Sequence, residues 1–116
     1  MKVKSFLVAL LAIPALLHAA ETITYDVAHV RRQDANMAFV KISPNFFNSD
    51  APIQAKWYTA VQACVRSTRL AGEAVVVSNF TNRFMYYGSK AWKPFLSSID
   101  MKRMNARVNK AVTCKY

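Results

Sequence analysis

The first twenty residues limit what the rest of this chain can fold into. Lys2 and Lys4 precede an apolar run over residues 6–17, and two alanines follow just before Glu21. This order of basic, apolar and small residues is typical of a secretory signal peptide. The run is shorter than the roughly twenty residues that cross a bilayer, and no comparable run follows it. We therefore expect residues 1–20 to be removed and the protein to be exported, to the periplasm or the cell exterior, with no transmembrane segment in the mature chain.

The two cysteines are the second constraint on the mature chain, which would comprise residues 21–116. A chain of this length makes one domain whose core is small enough for a covalent link to matter. Export to an oxidising compartment favours a disulfide between Cys64 and Cys114, the two cysteines of the sequence. A metal site would need more ligands than these cysteines and His29, the one histidine left after cleavage. We predict a single domain with one disulfide, no metal and no cofactor.

The charge of the mature chain is positive and unevenly distributed. Removal of the leader leaves 14 basic and 6 acidic residues, a net charge of +8. Residues 83–116 hold eight of the basic residues and Asp100 as their one acidic residue. Such a field attracts anionic partners and accelerates their encounter, although it does not select among them. We expect an acidic protein or an anionic envelope polymer as partner, and nucleic acid also fits this charge.

The first half of the mature chain predicts a hairpin and a helix. Residues 22–31 and 37–42 alternate and favour β-structure, and turn-forming residues separate them, so we expect two paired strands joined by a loop of four or five residues. Asp50 is a good N-cap for a helix whose apolar face includes Cys64. Gly72 offers a natural end for this helix.

The second half of the mature chain predicts further strands and a last helix. The β-branched run in residues 73–80 suits a strand covered on both faces. Residues 81–82 either turn this strand into a second one over 83–87 or lie within one long strand, and the sequence leaves both open. Ser97 or its neighbour can cap a last helix with apolar residues at helical spacing as far as Val112. The order of these strands and helices along the chain predicts an α+β fold, with a small antiparallel sheet of three or four strands packed on one face by two helices.

The predicted last helix carries the first candidate binding site. Arg103, Arg107 and Lys110 would cluster on its polar side, opposite the apolar stripe. Three cations with no acid among them favour an anion-binding face for an acidic protein or polymer. The alternative is a solvated surface whose cations complement the negative end of the helix dipole.

A second candidate is the stretch in which cations and aromatic residues alternate. Arg83, Lys90, Trp92 and Lys93 belong to it. Aromatic rings stack on bases or sugars while cations hold phosphates or carboxylates, so this composition suits a single-stranded nucleic acid or an acidic polymer. In the alternative interpretation the rings belong to the core.

Catalytic residue types are scarce in the mature chain. The scattered acidic residues form no pair on one helical face, and a nucleophile would have to use His29 as its base. A nuclease-like site remains conceivable if the sheet brings His29, Glu73 and Arg83 together. The sequence therefore favours a small exported cationic binding protein without catalytic residues, which holds an acidic protein or polymer. The alternative is a small secreted, nuclease-like hydrolase that acts on an anionic polymer.

Overall fold

The computed structural model describes residues 21–32 and 35–116, and the predicted signal peptide lies outside them. The fold is α+β, as the sequence predicts. Its strands are β1 (Thr22–Arg32), β2 (Ala35–Lys41), β3 (Glu73–Phe80), β4 (Arg83–Tyr87) and β5 (Lys110–Lys115). Its α-helices are α1 (Ala51–Ser67), α2 (Lys93–Ser97) and α3 (Met101–Ala106), and two 3-10 helices span Pro44–Asn48 and Lys90–Trp92. Within the described ranges, no helix has the length and apolar character needed to span a bilayer.

The five strands form one mixed sheet in the order β4-β3-β2-β1-β5. Strand β1 runs antiparallel to β2 and β5, and β3 runs antiparallel to β4. Strands β2 and β3 are parallel, because α1 carries the chain back across the sheet between them. The prediction of an antiparallel sheet with three or four strands was therefore wrong, since it missed both this crossover and β5.

The sheet is covered on both faces. Helix α1 packs against the face that presents Val40, Ala74 and Val76, whereas α2 and α3 cover the face that presents Phe39, Val75 and Val77. Neighbouring residues of a strand point to opposite faces, so β3 is buried on both sides as predicted. The expectation that both helices share one face was wrong.

Helix α1 begins where the sequence predicts and ends differently. The Asp50 carboxylate accepts a hydrogen bond from the backbone N–H of Ile53 at 3.4 Å, and Pro52 occupies the first turn. At the other end Arg69 adopts the left-handed conformation, with φ of 61°. Gly72 lies beyond that reversal, in the approach to β3, so it is not the residue that ends the helix.

The β3–β4 hairpin has a tight turn that the sequence left open. Thr81 and Asn82 have φ values of 51° and 62°, and Phe80 pairs with Arg83 across them. Two positive φ values in a two-residue loop match a type I′ turn, so residues 73–87 form a hairpin and not one long strand. In the β1–β2 hairpin the ladder extends to Arg32 opposite Ala35, which makes the connection shorter than expected. Residues 33 and 34 themselves lie outside the described ranges.

The predicted disulfide is present and joins α1 to β5. Cys64 and Cys114 are bonded with an S–S distance of 2.07 Å. Cys114 is only 1% exposed and belongs to the strand that forms one edge of the sheet. The bond therefore fixes the C-terminal strand to the helix that covers it.

Candidate functional site: an arginine-aromatic cluster

The candidate site is built on aromatic side chains that cover the α2–α3 face of the sheet. The Phe95 ring stacks on the fully buried Phe39 ring, with centroids 5.3 Å apart and planes inclined by 27°. Trp92 packs edge-on against both rings, at 5.7 Å from Phe39 and 6.1 Å from Phe95. Because Phe39 comes from a central strand and is wholly enclosed, it holds the other two rings in fixed positions.

Two arginines place their guanidinium groups on the Phe95 ring. The Cζ atoms of Arg32 and Arg107 lie 5.0 Å and 5.3 Å from its centroid. Both distances fall within the range for cation-π contacts, in which the ring quadrupole attracts a cation. The two Cζ atoms are therefore no more than about 10 Å apart, the sum of these distances. We call Arg32, Arg107, Phe95 and Trp92 the arginine-aromatic cluster.

The members of the arginine-aromatic cluster come from distant parts of the chain. Arg32 is the last residue of β1, and Arg107 is the C-cap of α3. Trp92 and Phe95 belong to the segment between β4 and α3. Both arginine side chains are exposed, whereas Phe95 is 8% exposed. The fold thus presents two solvent-accessible cations on a buried ring.

A shallow groove of about 570 Å³ opens beside the cluster. Its walls combine one guanidinium with aromatic and small apolar side chains and contain no carboxylate among the described residues. They are formed by Arg32, Ala35, Ala91, Trp92, Pro94 and Phe95. A site of this composition can hold an anionic group against the guanidinium while an apolar part of the same ligand contacts the rings.

The layer that covers this face is strongly cationic. Five basic residues fall within residues 88–108, against Asp100 as the acidic one. They are Lys90, Lys93, Lys102, Arg103 and Arg107. The Asp100 carboxylate accepts a hydrogen bond from the backbone N–H of Arg103 at 2.9 Å and so caps α3. It is committed to the helix N-terminus, and the surrounding field favours anions.

The predicted cationic helical face does not form. Helix α3 ends at Ala106, and Lys110 begins β5. The apolar residues near the C-terminus fit a helical period as well as a strand alternation. In the folded protein this segment pairs with β1, and Val112 and Cys114 are buried in the core on the α1 face. Arg103, Arg107 and Lys110 therefore do not share one side of a helix, although each remains a candidate anion contact.

The predicted aromatic-cationic stretch is divided among three elements. Arg83 is the first residue of β4, Lys90 and Trp92 are the first and last residues of the second 3-10 helix, and Lys93 is the first residue of α2. Of the residues predicted for binding, Trp92 and Arg107 belong to the arginine-aromatic cluster. Arg32 was not predicted, because nothing in the local sequence relates a residue at the end of β1 to the segment around Phe95.

The residues of the conceivable nuclease site are not brought together. His29 pairs with Ala38 and shares the α1 face with it, whereas Glu73 pairs with Met37 and lies on the opposite face. Arg83 is also distant from His29 along the strands. The register places His29 beside Ala38 and Ala38 beside Ala74, whereas Arg83 pairs with Phe80, six residues further along β3, or about 20 Å at the usual rise per residue. Among the described residues, no group of three His, Cys, Asp or Glu side chains is arranged to hold a metal ion.

His29 has a structural environment. Its backbone N–H donates to Asn109 Oδ1 at 2.9 Å, and Asn109 Nδ2 donates back to the His29 carbonyl at 3.2 Å. The Asn109 side chain thereby continues the hydrogen-bond ladder of β1 beyond the first residue of β5. The His29 Nε2 atom is buried and has no hydrogen-bond partner in the part of the chain that is described.

Comparison with protein-family models, with curated proteins and with solved structures finds no significant match to this chain. The geometry of the arginine-aromatic cluster and the charge around it are therefore the observations that bear on function.

Proposed function

We propose that this protein is a small, exported, non-catalytic binding protein that holds an anionic partner, an acidic protein or an acidic polymer, at the arginine-aromatic cluster. The observation that carries this proposal is the convergence of Arg32 and Arg107 on the ring of Phe95. A single cation-π contact is common in proteins, whereas two guanidinium groups on one ring concentrate positive charge at a defined point.

Contact with the ring suits anion binding because the ring face does not occupy the N–H groups of a guanidinium. These groups can still donate two parallel hydrogen bonds to a carboxylate or phosphate. The ring also restricts the long arginine side chain, which reduces the conformational entropy lost on binding. Arg32 and Arg107 can therefore bind an anion at a lower entropic cost than freely moving surface lysines.

Export is part of the proposal. A disulfide between α1 and β5 is compatible with an oxidising compartment, because thiols in a reducing cytosol are kept free. We propose the periplasm or the cell exterior as the location of the mature protein, in which envelope polymers and exported proteins would be its available partners.

Paired charge variants of the oxidised mature protein test the proposal. Polyglutamate, polygalacturonate and polyphosphate supply carboxylate and phosphate anions on three different backbones, and binding to each is measured by titration calorimetry at low and at physiological salt. The test variant is Arg32→Gln/Arg107→Gln. The control, Lys56→Gln/Lys115→Gln, removes the same charge from exposed positions outside the arginine-aromatic cluster.

We expect at least one polyanion to bind and the test pair to weaken it at least tenfold more than the control pair. The charge-preserving variant Arg32→Lys/Arg107→Lys should also bind more weakly, because lysine lacks the planar, bidentate group. Equal losses in test and control pairs would mean that net charge alone attracts the ligand. Absence of binding to all three polyanions would overturn the proposed function.

A further inference from the structure

The two edge strands of the sheet differ in how they are protected. Strand β5 has a lysine at each end, and its buried residues are held against α1 by the disulfide. Lysines on an edge discourage pairing with another chain. Strand β4 begins with Arg83 and continues with Phe84, Met85, Tyr86 and Tyr87, which are all partly exposed. The β4 edge is thus a short, aromatic strand without proline, bulge or central charge.

The pairing of β4 shows which of its backbone groups face outward. In a two-residue hairpin the residues beside the turn, here Phe80 and Arg83, exchange hydrogen bonds, and bonded pairs then alternate with non-bonded ones. Tyr86 pairs with Val77, whose carbonyl accepts from Ile42 N–H at 2.9 Å on the β2 side. The N–H and C=O groups of Phe84 and Tyr86 therefore point away from β3. They have no backbone partner among the described residues.

The neighbouring part of the edge is closed by side chains. Beyond the end of β4, the Ala74 N–H donates to Gln62 Oε1 at 2.7 Å, and the Tyr58 hydroxyl donates to the Ala74 carbonyl at 2.8 Å. Helix α1 thus satisfies the edge groups of β3 where β4 no longer covers them. On this edge of the sheet, the N–H and C=O groups of Phe84 and Tyr86 are therefore the four outward groups that the α1 side chains do not bind.

Lysines line the groove beside this edge, and the Glu73 carboxylate acts on its Tyr58 from the start of β3. A groove of about 520 Å³ lies at the C-terminal end of β4 and is lined by tyrosines, two small residues and two lysines, with no acidic residue: Tyr58, Tyr86, Tyr87, Gly88, Ser89, Lys90 and Lys93. Arg83 stands at the opposite end of the strand. An extended chain laid along β4 would therefore meet positive charge at both ends and aromatic rings between.

We infer that β4 receives an extended acidic segment of a partner protein, which adds to the sheet as a sixth strand through the backbone groups of Phe84 and Tyr86. Strand addition takes affinity from main-chain hydrogen bonds and selectivity from the flanking side chains, here the cations and tyrosines. A second copy of this chain would bring two molecules of like net charge together, which disfavours it as the occupant. This inference rests on the proposed function for the anionic character of the partner, and it adds a second contact, for an acidic polypeptide, on a surface other than the arginine-aromatic cluster.

The test uses three capped eight-residue peptides and the oxidised mature protein. One peptide alternates glutamate and valine. A second has the same four glutamates but places its four prolines in adjacent pairs, so that both edges of the extended peptide lose backbone N–H groups while the charge is kept. A third alternates lysine and valine. Binding is measured by titration calorimetry, and amide hydrogen exchange of the protein is followed by NMR. We expect the glutamate-valine peptide to bind at least tenfold more tightly than either other peptide and to slow exchange at Phe84 and Tyr86.

Two substitutions at one position separate backbone from side-chain contributions. Tyr86→Pro removes an outward N–H, and an edge strand tolerates proline at such a position. Tyr86→Ala removes the ring and keeps the N–H. We expect Tyr86→Pro to weaken binding of the glutamate-valine peptide about tenfold relative to Tyr86→Ala, because one hydrogen bond is lost and its acceptor is left unpaired. The wild-type exchange data decide the question if the proline variant does not fold.

Several results would overturn strand addition and leave the proposed function intact. They are equal affinities of the proline and alanine variants, equal affinities of the glutamate-valine and glutamate-proline peptides, unchanged exchange at Phe84 and Tyr86 in the complex, or binding of polyanions without binding of any peptide. Self-association of the free protein with protection of the same two amides would assign the edge to a second copy instead. Polyanion binding tests the proposed function separately, and a loss confined to Arg32→Gln/Arg107→Gln supports it whatever the result at β4.

Discussion

Reduction of the disulfide gives a stability change whose size follows from the fold. Cys64 and Cys114 are separated by 50 residues, so the bond closes a loop that includes β3, β4, α2 and α3. In the chain-entropy treatment, a loop of this length lowers the entropy of the unfolded chain enough to stabilise the folded protein by about 4 kcal/mol. That is a large share of the ~5–15 kcal/mol by which domains are typically stable. Reduction also leaves both sulfur atoms in place, so no core cavity contributes.

Urea denaturation with and without a thiol-free reductant measures this difference directly. Trp57 packs on Tyr116 beside the α1 face and Trp92 packs on Phe39 on the other, so fluorescence reports on both faces of the sheet. We expect reduction to lower the unfolding free energy by about 4 kcal/mol. The unfolding free energy should also depend more steeply on urea, because an unfolded chain without the cross-link expands and exposes more surface. A loss below about 1 kcal/mol would refute the reasoning, since the link would then not restrict the unfolded chain as its position in the sequence requires.

Two further predictions concern tyrosine ionisation and the closed part of the sheet edge. Burial, aided by the hydrogen bond to Tyr25, raises the pKa of Tyr116 above its ordinary value of 10.0. The folded state therefore holds this proton more tightly than the unfolded chain, and stability should fall as the pH rises above about 10. For this group the fall is below the limit of about 1.4 kcal/mol per pH unit, because solvent screens a partly exposed side chain. Tyr116→Phe should flatten that fall in denaturation curves at pH 9 to 11, and identical slopes would contradict the assignment. Gln62→Leu leaves the buried Ala74 N–H unpaired and should cost about 1–3 kcal/mol of unfolding free energy, whereas Gln62→Glu keeps an acceptor and should cost less.

The sequence predicted the features that depend on neighbouring residues. Asp50 is the N-cap of α1, the β-branched run over residues 73–80 is a strand buried on both faces, and the first two predicted strands form a hairpin as β1 and β2, with bounds that differ by a few residues. Each follows from side-chain chemistry at short range, such as an acceptor before a helix or alternation along a strand. The disulfide was also predictable, because the two cysteines had no other partner.

The features that failed depend on long-range packing. Val108, Ala111 and Val112 fit a helical stripe, yet the segment around Val112 pairs with β1 and becomes β5. The pattern alone could not choose between the two, because helix and strand periods coincide over so few residues. Likewise, the parallel pairing of β2 and β3 depends on where α1 crosses the sheet, and neither strand carries a signal for its neighbour.

The candidate site was predicted only in part for the same reason. Trp92 and Arg107 stood out as members of an aromatic and a cationic stretch, whereas Arg32 had no local signal. Contact between Arg32 and Phe95 requires the β1–β2 hairpin and the layer formed by α2 and α3 to meet, which is decided by the burial of Phe39 and its neighbours. Composition indicated an anionic partner, and the fold supplies the location at which we propose it binds.

The most direct test of anion binding at the arginine-aromatic cluster is an NMR titration of the arginine side chains. The Nε–Hε resonances of the oxidised, ¹⁵N-labelled mature protein are followed as polyglutamate is added at physiological salt. We expect the resonances of Arg32 and Arg107 to shift together and saturate with one dissociation constant, while those of Arg66 and Arg69 near the end of α1 stay in place. Small, unsaturated shifts spread evenly over all the arginines would show that the positive charge attracts polyanions without a defined site, and would contradict the account.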